Sequence, residues 1–231
     1  LAWAILEMRI FPVETELSVA LGLSLFGVYF ALGLGLIAAA AIDLEHMYLP
    51  DAITLGGAAL GLLSVPLRPE ITWTGALGGA ALGFVMVWFP FIWLYAKLRG
   101  FPGMGLGDAK LLALAGAWFG PFGALFVLFG GALQGTLVAL AVLLTKGRIE
   151  EPEAVREERR ALQEAIAAAE GEERAALERE LAEDPIGAEP GEGFGQARLA
   201  FGPFLVLACL ELLLFQEPIQ TILHELLWVV E

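Results

Sequence analysis

Apolar residues run through this chain in blocks too long for the interior of a small soluble domain, and most charges fall between the blocks. Residues 17–42, 71–96 and 111–145 contain no Asp, Glu, Lys or Arg. Each block meets the roughly 20 residues that a helix needs to cross a hydrocarbon core. The third is long enough for two passes and is predicted to break at Gly120-Pro121. Shorter apolar runs at 52–65 and 199–216 predict further spans. Residues 1–11 read as the tail of another, and a chain that starts with Leu inside an apolar stretch is expected to have sequence upstream.

The pattern predicts an all-α fold, a polytopic helical membrane protein of about six to seven transmembrane helices. Three regions follow: a transmembrane core over 1–145, a charged insertion over 146–198, and transmembrane or interfacial helices over 199–231 that complete the core. Composition agrees. Hydrophobic residues make up 58% of 231 positions and the mean hydropathy is +0.74, more than a soluble domain needs.

Charge placement orients the spans. Basic connections (Lys97 and Arg99; Lys146 and Arg148; Arg198) alternate with connections poor in basic residues, such as 12–16 and the Gly120-Pro121 turn. The basic side is expected to be cytoplasmic. The connections 43–51 and 100–108 then lie on that same side. Arg68, beside Glu70, is an exception that does not overturn the count.

About half of the net charge of −14 lies in 146–198, so it describes an insertion rather than the whole surface. Residues 153–170 predict a helix with Val155, Leu162, Ile166 and Ala169 on one stripe. Gly171 is expected to end it, before a second helix that Asp184-Pro185 stops and a Gly-rich return to the membrane. Either a solvated helical hairpin, in part disordered, or a binding arm fits this composition. The segment is too acidic to favour nucleic acid. A single cysteine, Cys209, excludes an internal disulfide and a cysteine zinc site, so no metal is expected.

Glycine is abundant, with 28 residues mostly in apolar segments. Gly75, Gly79 and Gly83 share one helix face, as do Gly57 with Gly61, Gly116 with Gly120, and Gly131 with Gly135. Close helix packing is the simpler reading, a sliding interface the functional one.

Two carboxylates stand at the edges of these blocks, where ionisable groups are costly. Asp43 ends the first in A-I-D-L-E-H-M-Y-L-P-D. The C-terminal end of a helix is electrostatically wrong for an acid, so Asp43 either reaches the headgroup level or serves a site. Asp51, next to Pro50, suits the start of a helix. His46 reads as a surface residue or a substrate contact. Asp108 follows G-M-G-L-G and precedes a helix, where it is either an N-cap or a site residue. The glycines of that loop would permit positive backbone angles and close approach to another backbone.

Two carboxyls in one poorly solvated site cannot both ionise cheaply, so one would hold a proton while the other activates water. A proton-coupled transporter is the alternative from another class. It predicts inverted repeats, and none is evident.

The segments G-M-G-L-G-D-A-K, A-I-D-L-E-H-M-Y-L-P-D and F-G-P-F resemble, in order and approximate spacing, the bacterial type IV prepilin peptidases, which are GxGD-type aspartyl proteases. The resemblance implies that Asp43 and Asp108 are the catalytic pair, with Gly105, Gly107, Lys110 and Asp51 in support. Phe201, Gly202, Pro203 and Phe204 would frame the site. It further implies a multi-pass protein of the bacterial inner membrane that acts at the cytoplasmic face on precursors of type IV pilins and type II secretion pseudopilins. A preflagellin-type enzyme is the related alternative. The peptidase reaction implies no cofactor. Paired CxxC motifs, which the resemblance ties to S-adenosylmethionine-dependent N-methylation, are missing from this sequence, and the charged insertion is longer than the resemblance predicts.

Overall fold

A computed structural model describes residues 1–6, 19–100, 102–146, 153–169, 171–172, 174–175, 177–178 and 200–228. The helices are α1 (Ala2–Ile5), α2 (Val19–His46), α3 (Asp51–Leu63), α4 (Trp73–Val87), α5 (Tyr95–Arg99), α6 (Leu106–Lys146), α7 (Glu153–Ala168) and α8 (Gly202–Trp228). No strand occurs among the described residues. Four helical stretches are long and apolar enough to cross a membrane: Val19–His46, Trp73–Arg99, Leu106–Thr145 and Gly202–Ile222. α3 is a shorter apolar helix. The protein is therefore an all-α integral membrane protein. Its large exposed apolar side chains, among them Val19, Leu63 and Leu144, are suited to lipid rather than water.

The long α6 is broken where the sequence predicts. Gly120 has φ 71° and ψ −168°, a backbone state that side chains with a Cβ disfavour. A straight helix would hold Gly107 and Gly135 about 42 Å apart, at 1.5 Å per residue. Instead Gly107 meets Leu49, which also meets Gly202, while Gly135 meets Phe201 and Phe204. The two arms of α6 thus return to one end, and Gly120 reverses the chain. Pro90 has a milder effect: around it, Trp88–Leu94 widens into a π-helix between α4 and α5. In α8, the distortion at Phe215 precedes Pro218.

The first arm of α6 is the central helix, buried along Leu114–Phe119 by its neighbours. α4 runs antiparallel to it at backbone contact. A Cβ on Gly79 would strike the Gly116 carbonyl and the Gly120 backbone, 2.5 Å from its carbonyl carbon, and one on Gly83 would strike the Leu112 carbonyl. α3 runs parallel on another side, with Gly57 against Leu114 and Gly61 against Trp118. Gly131 and Gly135 seat α8 on the second arm. Close packing, the simpler reading of the glycine spacing, accounts for all of these. Gly75 differs, because it faces its own N-cap: Thr72 Oγ1 accepts from the Gly75 N–H at 3.1 Å.

Arg68 explains itself as a structural residue. It is 1% exposed, and its guanidinium donates to Trp118 O at 2.6 Å, Gly61 O at 2.5 Å and Ala117 O at 3.4 Å. It also lies over the Trp118 ring, 4.7 Å from the centroid. These carbonyls end α3 and the first arm of α6, where intrahelical partners run out and the helix dipole favours a cation. Arg68 is thus not a solvated loop charge, and it drops out of the topological count.

α7 forms as expected, and its predicted stripe is the one withdrawn from solvent: Val155 is buried at 2% exposure, and Leu162, Ile166 and Ala169 are partly covered. α7 packs on α2, and Gly171 has φ +63°. Residues 171–172, 174–175 and 177–178 are helical, as the predicted second insertion helix requires, and Arg174 pairs with Glu178 at 2.8 Å. The rest of that helix through Asp184, the Gly-rich return, the connection at 12–16, and Arg148 and Arg198 lie outside the described residues.

Two outcomes test this packing. Gly79→Ala should cost about 1–3 kcal/mol by overpacking, while Gly78→Ala, whose Cβ would meet nothing within 4 Å, should be neutral or stabilising; thermal unfolding in detergent compares them. Arg68→Met should destabilise by about 1–3 kcal/mol for each buried carbonyl stripped of its donor, with Arg68→Lys intermediate in the same measurement.

Candidate active site

The buried face of α2 reads Leu25, Tyr29, Leu32, Leu36, Ala39, Asp43. Those steps of three and four are a single helical stripe, and Asp43 is its last member. The carboxylate therefore points into the protein, at 5% exposure, rather than out to the headgroups. Glu45 and His46, the next polar residues, are both exposed.

α2 ends with Met47 at φ 51°, the one non-glycine residue with positive φ among those described. Its N–H caps the Asp43 carbonyl at 2.9 Å, a left-handed C-terminal cap in which glycine is usual. Pro50 excludes helix at the residue before it. The chain then passes through Leu49 to Pro50, whose carbonyl accepts from Ile53 and Thr54 and so starts α3.

The second carboxylate arrives on α6. Gly100, at φ 86°, ends α5, and the Gly103 N–H donates to Phe91 O at 2.7 Å, pinning the loop to the π-helical stretch. Gly103, Gly105 and Gly107 do not have positive φ. Their value lies in close approach, Gly103 to the Phe91 backbone and Tyr95 ring, and Gly107 to Leu49. The helix begins at Leu106, so Asp108 is the third residue of its first turn and not the N-cap. Its own N–H donates to Gly105 O at 3.2 Å, and its carboxyl faces the Gly105 N–H. An acid in that turn is favoured by the free N–H groups and the helix dipole.

Asp43 and Asp108 lie at the same end of the bundle, where Leu49 meets both Gly107 and Gly202. Asp108 is 9% exposed and lies within electrostatic reach of Asp43. The start of α8 completes the enclosure: the Gly202 N–H faces the Asp43 carboxyl, and a Cβ at 202 would lie 2.5 Å from Asp43 Oδ2. Oδ2 is buried and has no hydrogen-bond partner among the described residues. A buried carboxylate oxygen without a protein donor is open to a water or a substrate proton.

The remaining sequence candidates divide. Asp51 and Lys110 form an ion pair at 2.5 Å that ties the first turn of α3 to the first turn of α6. Neither motif alone revealed that pairing. Phe201 and Phe204 pack on Gly135 of the second arm, and the Phe201 carbonyl accepts from Phe204 and Leu205 to start α8. Leu49 was not a candidate, although it touches both glycine-bearing segments.

Comparison with known proteins bears on this arrangement directly. Residues 30–140 match the type IV leader peptidase family. That stretch holds Asp43, Leu49, Asp51 and Asp108. The resemblance read from the sequence is borne out over these matched residues, while Gly202 lies beyond them. A prepilin leader peptidase/N-methyltransferase of Xanthomonas campestris pv. campestris is 42% identical over 119 residues, covering 49% of this chain and 39% of that protein. Those of Dichelobacter nodosus, 38% identical, and Pseudomonas aeruginosa, 37% identical, cover 49% and 48% of this chain and 39% and 40% of their own lengths. The chain thus spans about two fifths of the length of the curated relatives it matches. No solved structure matches it.

The Asp51–Lys110 pair is half open to solvent at Asp51, which limits its contribution. A double-mutant cycle with Asp51→Asn and Lys110→Met, read by thermal unfolding, should give a coupling of about 0.2–1 kcal/mol.

Proposed function

We propose that this protein is a membrane aspartyl endopeptidase that removes the leader from type IV prepilins and type II secretion pseudopilins at the cytoplasmic face of the bacterial inner membrane. The observation that carries the reading is the placement of two buried carboxylates from separate spans at one end of the bundle, one with an oxygen that no described residue donates to, inside a region that matches the leader peptidase family. The named activity of the relatives supports the choice of substrate. The proposal concerns peptide hydrolysis alone, a reaction that two carboxyls and water can perform without a cofactor.

The chemistry follows from the pair. One carboxyl is ionised and the other protonated, and the shared proton belongs to the pair rather than to either residue. The ionised group accepts a proton from water as the water oxygen bonds to the scissile carbonyl carbon. The protonated group donates to the carbonyl oxygen. The resulting tetrahedral intermediate breaks its C–N bond as the leaving nitrogen takes up a proton, which yields a carboxylic acid and an amine. Asp43 Oδ2, which no described residue donates to, is the oxygen left open to water or substrate.

The orientation rests on charge. Lys97, Arg99, Lys110 and Lys146 follow or flank the end of the helix bundle that holds both aspartates. Arg68, at the other end, is bound to carbonyls and does not compete. Basic residues beside spans favour the cytoplasm. A site at a membrane edge also obtains water without a pore. A proton-coupled transporter would place its acid near the midplane, whereas both carboxyls here are at span ends.

Asp43→Asn and Asp108→Asn should each lower the rate of prepilin cleavage in membranes by at least about 10²-fold, the scale of general acid–base catalysis, with insertion and thermal unfolding unchanged. Substantial cleavage by either variant would sink the two-aspartate assignment.

A further inference from the structure

Leu49 is 4% exposed, although it sits in the short connection between α2 and α3 at the end of the bundle. Its Cβ is 2.9 Å from the position a Cβ would take at Gly107, and its Cδ1 is 3.4 Å from it. Every one of the three atoms nearest that position belongs to Leu49. The same Cδ1 lies 3.2 Å from the corresponding position at Gly202, which in turn abuts Asp43 Oδ2. Gly107 directly precedes Asp108. One side chain therefore touches the backbone that delivers Asp108 and the backbone that covers Asp43.

The connection is built to hold it there. Met47 takes an unfavourable left-handed conformation with its N–H bonded to the Asp43 carbonyl. Pro50 is extended at φ −63° and ψ 133°. These two residues fix the direction of the four-residue connection, Met47 to Pro50, on which Leu49 sits. A non-glycine residue at positive φ persists where its surroundings over-determine it.

We infer that Leu49 is a positioning residue, the spacer that sets the separation of Asp43 and Asp108. Its shape is what the role requires. A smaller side chain would let the α6 loop and the start of α8 close on each other, and a larger one would push them apart. Either change moves reacting groups by a fraction of an ångström to an ångström, a displacement that costs rate rather than binding. The inference rests on the endopeptidase reading for its kinetic part and on packing alone for the rest.

The test uses the full chain in membranes with a prepilin substrate. Leu49→Ala should lower kcat by about 10–100-fold with KM within about twofold. Leu49→Met, which keeps the volume, should restore kcat to within about threefold of the parent. Parental kcat in Leu49→Ala, or a loss that Leu49→Met does not restore, would overturn the spacer role. A second measurement is independent of cleavage. Gly107→Ala should lower the unfolding temperature through collision with Leu49, and Leu49→Gly in the same chain should recover most of that loss. Additive effects of the two substitutions would overturn the inference. If the parent chain leaves prepilin uncut while this coupling is present, the spacer stands and the peptidase reading fails.

Discussion

Backbone contact between α4 and the first arm of α6 is the constraint from which the rest of the molecule follows. In lipid, apolar side chains gain little by leaving their surroundings, so helices hold together through close packing and polar contacts. Gly79 and Gly83 allow α4 to lie on the carbonyls of Gly116 and Leu112. With α3 seated through Gly57 and Gly61, and with α8 seated through Gly131 and Gly135 on the second arm, the central arm is fixed from several sides. Asp108 is carried at the start of that arm, so its position inherits the rigidity of the whole contact.

The two ends of the bundle divide the labour. At one, helix starts and the end of α2 converge, and two acids sit where free N–H groups and a bare glycine backbone face them. At the other, an arginine satisfies carbonyls exposed by the reversal at Gly120. Each end uses the groups that helix termini leave unpaired, with opposite charge. The glycine loop before Asp108 is held by the irregular stretch around Pro90 through Phe91 O, so a defect in one helix becomes an anchor for the next.

Much of this was legible in the residues. Uncharged blocks gave the spans, Gly120-Pro121 gave the reversal, and the motif segments gave the two aspartates. Asp43 shows where pattern failed. It ends a stripe of steps three and four, yet the intervening residues are also apolar, so no contrast marked the buried face and a headgroup position seemed equally suitable. The role of Asp108 as a cap missed by three residues, because Leu106 and Gly107 are poor advertisements for a helix start. Arg68 reads as a loop charge because two of its three carbonyl partners lie some fifty residues away. Leu49 was invisible for a related reason: a leucine in a short apolar connection has nothing to distinguish it until the glycines it meets are known.

The arginine also constrains how the protein can be made. α3 and α4 leave the ribosome well before Ala117 and Trp118, so at that moment Arg68, in the connection between them, has the Gly61 carbonyl of α3 but not the carbonyls of α6. The hairpin of α3 and α4 therefore lacks two of the three carbonyls that hold its arginine until the first arm of α6 packs against it. Assembly of the bundle is coupled in this way, and the helix that satisfies Arg68 at one end is the same one that carries Asp108 at the other.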